Sequence, residues 1–136
     1  MPMPKLSDIK LKAVIVGAIV DNAGTLLLMA VLAAALVSTG LSEDEVMGRM
    51  KSTSGLLLGL ILGLGCTVLG AFFAGKIAGR AEVLHGVLVA AAGMAMALIF
   101  RESGTPLWFD VAGLVGMLLA GIAGGHLAQK HRAGIK

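Results

Sequence analysis

Residues 52–75 read STSGLLLGLILGLGCTVLGAFFAG and contain no charged side chain. The hydrocarbon core of a bilayer, about 30 Å thick, is crossed by roughly 20 apolar residues in a helix. A stretch of this length and composition predicts a transmembrane helix. It carries a second pattern as well: Gly55, Gly59, Gly63, Thr67, Ala71, Gly75 and Gly79 place a small residue at every fourth position. Helices in lipid gain little by hiding apolar side chains from one another, and they associate through the close backbone approach that small residues permit. The spacing predicts a glycine-zipper packing face along one side of this helix. Packing alone accounts for such a face; a pore lining or a sliding surface is the sharper alternative, and the spacing does not separate them.

The rest of the chain repeats the signal. Residues 83–100 and 111–129 hold no Asp, Glu, Lys or Arg, and between Ala13 and Leu41 only Asp21 is charged. Hydrophobic residues make up 57% of the 136-residue chain and charged residues 14%, too few to cover a water-facing surface, since soluble domains sit near a quarter charged. We expect an all-α membrane protein: a single domain of four transmembrane helices at about 12–38, 53–78, 83–101 and 106–128. The apolar run from Ala13 past Asp21 to Val37 exceeds the 7–15-residue core of a cleaved signal peptide, so it is expected to remain as a span. Cys66 is the one cysteine, which precludes an internal disulfide.

Local signals mark the ends of these spans. Ser38-Thr39-Gly40 offers a stop with a permissive glycine. Ser42 followed by Glu45 is a capping box and predicts a short helix near 43–51, with Val46, Met47 and Met50 on its apolar side. Ser103-Gly104 breaks the third span. Thr105 is expected to cap the fourth, with Pro106 at its first helical position, Trp108 and Phe109 anchoring in the interface, and Asp110 either complementing the helix dipole or flanking an outer opening. The fourth span has its own small-residue stripe, Ala112, Gly116, Ala120, Gly124 and Ala128, with Gly121 and Gly125 beside it; the third offers Gly86 with Ala90 and Gly93 with Ala97.

Orientation follows from the basic residues. Lys5, Lys10, Lys12, Lys76, Arg80, Lys130, Arg132 and Lys136 fall on one side of this topology, and Arg49, Lys51 and Arg101 on the other. The positive-inside rule then makes both termini cytoplasmic and the 43–51 helix extracytoplasmic. A net charge of +3 located at span ends is no signal for nucleic acid.

Asp21 lies about 12 Å along its helix, where a charge costs at least about 2.5 kcal/mol on insertion scales. Such residues face a bundle interior, and Ala13, Gly17, Asp21 and Thr25 share a face. Asp21, with Asn22 and Thr25, is the candidate proton or ion site. At its depth the other helices offer Gly70, residues 91–93 and Ala120 to Gly121, all small. Lys76, His85 and His126 lie roughly 9 Å nearer the cytoplasmic end and form the candidate polar route. The alternative is that Asp21 only fixes packing. We find no nucleophile–base pair, no phosphate-binding loop and no Cys/His cluster with metal spacing, so neither an enzyme nor a cofactor or metal is expected.

The run from Gly70 to Arg80, GAFFAGKIAGR, followed by the His85-Gly86 pair, resembles small four-helix bacterial membrane proteins of uncharacterised activity, whose second helix ends in a G-G-x-x-A-G-R-I-A-like run before an H-G pair. Ala71 stands for the second glycine and Lys76 for the arginine. The resemblance spans about 55–95 and implies the four-helix fold and the bacterial inner membrane. In layout, the chain is also similar to small multidrug-resistance exporters, with Asp21 at the place of their first-span acidic residue; it has aspartate where they have glutamate, and it lacks their Trp and Tyr pocket. The expectation is a packing, accessory or regulatory membrane protein that assembles through its small-residue faces with a second copy or within a larger complex. The alternative is a proton-coupled small transporter or channel using Asp21.

Overall fold

The computed structural model describes residues 9–135; Lys5 and Lys136, counted toward the orientation, lie outside them. The described residues form five helices and no strand: α1 (Leu11–Ser38), α2 (Glu43–Lys51), α3 (Thr53–Ala78), α4 (Glu82–Ile99) and α5 (Leu107–Gly134). All but α2 are long and apolar enough to cross a membrane, the build of a multi-pass membrane protein. α3 packs on α1, α4 and α5, and α4 on α1 and α5, whereas α1 and α5 do not meet. The four long helices thus form a rhombus in section, with α3 and α4 on its short diagonal.

The ends of these elements follow local chemistry. α1 stops at Ser38, and Gly40 turns the chain with a φ of 88°. Both halves of the α2 capping box form: the Glu45 amide and the Ser42 hydroxyl pair, and the Glu45 carboxylate accepts from the Ser42 amide. Val46 is the buried residue of α2, while Met47 is 52% exposed. At the start of α5 the outcome differs from expectation. Pro106, not Thr105, occupies the cap position, and no side chain caps the helix; the Thr105 hydroxyl instead donates to the Glu102 carbonyl. α5 also runs on to Gly134, because nothing between Ala128 and His131 breaks a helix.

The bundle is tight at one end and splayed at the other. Every buried residue of α1 lies in its first half, those of α3 and α5 lie toward their C-terminal ends, and those of α4 lie toward its N-terminus. Chain antiparallelism brings these stretches together at the basic end. Backbones nearly touch there: a methyl added to Gly121 would lie 2.6 Å from the Gly86 carbonyl oxygen and 2.7 Å from the Ala90 methyl.

The small residues of α3 do not form one face. Four residues advance a helix by about 400°, so each step drifts about 40° around the axis. Gly55 meets the carbonyls of Arg49 and Met50, Gly59 and Gly63 look toward Met29 and Thr25 of α1, and Gly75 lies against Ala128 of α5 and Glu82 of α4. A methyl at Gly79 would meet nothing within 4 Å: it is the left-handed C-cap of α3, with a φ of 66°, a conformation that favours glycine.

Candidate functional site

Asp21 is wedged among three helices at the boundary between the tight and splayed halves, and only 5% of it is exposed. From α3, the Thr67 hydroxyl lies 3.0 Å from Asp21 Oδ1 and 3.2 Å from the Gly63 carbonyl. A methyl added to Gly70 would sit 3.0 Å from Asp21 Cβ, and one added to Gly93 of α4 would sit 3.0 Å from Oδ2. The small residues expected at this depth on α3 and α4 are therefore the ones that admit the carboxylate. From α5 it is Met117 that approaches Gly93, whereas Gly121 meets Gly86 further toward the tight end.

Thr67 is suited to either state of its partner. Toward an ionised carboxylate the hydroxyl donates. Toward a protonated carboxyl it accepts, and it hands its own proton to the Gly63 carbonyl. A hydroxyl has one donor and two acceptor sites, so neither arrangement strands a polar atom. The neighbours on α1 do less: Asn22 donates to the Ala18 carbonyl at 2.8 Å and Thr25 to the Asp21 carbonyl at 2.9 Å, so both side chains turn back on their own helix.

Above this layer, in the splayed half, lies a cavity of about 390 Å³, within the range of small-molecule sites. Its deepest residues stand one helical turn from the Asp21 layer on each helix: Thr25 above Asp21, Gly63 above Thr67 and Ala97 above Gly93, with Met117 completing the floor. The walls are leucines, Phe100 and Phe109, with Gly59 and Gly113 between them. At the mouth Arg101 pairs with Asp110 at 2.7 Å and Lys51 with Glu102 at 3.1 Å, so Asp110 flanks an opening.

The candidate polar route is not assembled. His85 is fully buried, whereas Lys76 and His126 face outward. The reason is angular: with Gly75 and Ala78 turned inward on α3, and Gly124, Gly125 and Ala128 inward on α5, Lys76 and His126 point away. His85 has a different place. Its Nε2 accepts from the Lys10 amide at 3.0 Å, and its Nδ1 lies 2.9 Å from the Ala81 carbonyl, an arrangement that a neutral ring protonated at Nδ1 satisfies at both nitrogens. A residue of α4 is thereby tied to the residue that precedes α1.

A second tie went unread in the sequence. Glu82, nearly buried, receives Arg132 of α5 at 2.7 Å, and the same guanidinium nitrogen donates to the Gly79 carbonyl that ends α3. Glu82 looks like an ordinary first-turn acid; only the return of α5 past its expected end shows its partner. Among the described residues no buried side-chain polar atom lacks a partner, and no cluster of His, Cys, Asp and Glu has the grouping to hold a metal. Comparison with family models, curated proteins and solved structures found no match for this chain.

Proposed function

We propose that the protein is a small transporter of the bacterial cytoplasmic membrane, with both termini cytoplasmic, that uses Asp21 as its membrane-embedded proton or ion site. The observation that carries this reading is the cavity floored one turn above the Asp21 layer on three helices at once, in a bundle closed at its basic end. A buried carboxylate with an open cavity ending one turn from it on one side and close packing on the other matches the occluded state of an alternating-access site. The absence of a continuous polar route to the basic end fits a gated site rather than an open channel.

The test is proton flux into liposomes under an imposed pH gradient, for the wild type and for Asp21→Asn, which keeps the shape and removes titration. Flux above empty vesicles that the substitution abolishes supports the proposal; equal flux in both, or none in either, ends it. A second reading, a packing, accessory or regulatory protein that assembles with a second copy or a larger complex, draws support from the Thr67 bond and the close packing below Asp21. It predicts no flux, together with a stable assembly in mild detergent.

A further inference from the structure

We infer that the recess between the ends of α3 and α5 binds the phosphate of an anionic membrane lipid. This inference rests on the fold and is independent of any transport. The recess, of about 280 Å³, is lined by Gly75, Lys76, Gly79, Ala128, His131 and Arg132, with Ile135 at its rim. Its floor exists because α3 and α5 cross on small residues: a methyl on Gly75 would lie 2.7 Å from that of Ala128. No bulky side chain fills the space above the crossing, and three nitrogen-bearing side chains stand around it.

Their chemistry suits a phosphate. Arg132 is fixed in place by Glu82 and by the Gly79 carbonyl, both held through Nη1. A guanidinium has five donors, so its other edge remains available. The Glu82 carboxylate lies beneath the guanidinium, with 8% of its side chain exposed, and is not part of the lining. The carbonyl end of α3, which would repel an anion, is covered by the same arginine. Lys76 makes no ion pair or hydrogen bond among the described residues. His131 makes a T-shaped contact with Phe72, ring centres 5.8 Å apart.

The position selects the source of the phosphate. The recess sits at the last turn of α3, at the basic end of the spans, where headgroups lie. One turn below it on the same face Phe72 packs on His131, an apolar strip for an acyl chain. Basic pockets between helices at this level suit anionic headgroups. A free anion would have no use for the strip.

The experiment is native mass spectrometry of delipidated protein titrated with phosphatidylglycerol and, separately, with phosphatidylcholine of the same chains. We expect one saturable phosphatidylglycerol adduct whose apparent Kd rises about tenfold or more in the Lys76→Ala/His131→Ala variant and in Lys76→Glu alone. Lys130→Ala, a basic residue at the same end outside the recess, should leave it unchanged. Both test residues are exposed, so the fold is retained, and an unchanged thermal transition verifies this. Equal binding of the two lipids, or unaltered binding in both variants, overturns the site. Displacement of the lipid by millimolar inorganic phosphate overturns its assignment to a membrane lipid.

Discussion

Thr67 on α3 and Asp21 on α1 are joined by a hydrogen bond of 3.0 Å in the layer where the bundle changes from packed to splayed. It is the one side-chain bond among the described residues that ties α1 to α3. Thr67→Val keeps the shape and removes the donor. Interhelical bonds in membranes are worth about 0.6–2 kcal/mol, and we expect a loss of that size in SDS-induced unfolding from mild detergent. An unchanged midpoint would mean that Asp21 finds another partner.

Glycine substitutions should divide sharply by position. A methyl at Gly17 would lie 2.6 Å from the Gly70 carbonyl, 2.7 Å from Val89 and 2.8 Å from Ala74, all parts of packed helices. Gly17→Ala should cost about 1–3 kcal/mol. Gly65, with nothing within 4 Å, should accept Ala with a gain of up to about 1 kcal/mol from helix propensity. The same unfolding assay compares them.

His85→Leu tests the tie between α4 and the residue preceding α1. It fills similar space but removes the acceptor of the Lys10 amide, at a cost of about 0.5–1.5 kcal/mol for the lost bond. Hydrogen exchange should report faster exchange at Lys10 and its neighbours, with the α5 amides unaffected.

Ala81 sits in the left-handed region, with a φ of 48°, directly before α4. That conformation costs an L-residue about 1–2 kcal/mol, part of which glycine would return in chain entropy. Ala81→Gly should therefore stabilise by up to about 1 kcal/mol in thermal unfolding, whereas Ala81→Val should destabilise.

The one pH effect we assign outside the spans concerns Glu45. The Ser42 amide, and then its hydroxyl, hold the carboxyl below the ordinary glutamate range. Its contribution to α2 is present above the unfolded value and is lost as pH falls through the lowered folded one. Amide exchange at Ser42 should quicken across that window, and Glu45→Gln should abolish the dependence.

The spans and the α2 helix were legible because charge-free length and a capping box are local signals. Asp21 and its small neighbours Gly70 and Gly93 were legible because depth can be counted along straight helices. What failed was angular or distant. The four-residue stripe on α3 reads as a line in one dimension and wraps around the helix in three. Lys76 and His126 share a level with His85 but not a direction. Glu82 and Arg132, fifty residues apart, carry no local mark of their pairing.

The corner between α3 and α4 has a mechanical consequence. Gly79 and Ala81, both left-handed, reverse the chain within three residues, so these two helices behave as the spine of a book. α1 and α5 never touch and are its covers. Each cover is bolted to the spine at the same corner by its own fastening: Lys10 onto His85, and Arg132 onto Glu82 and Gly79. Loosening one fastening should therefore leave the other cover's fastening intact.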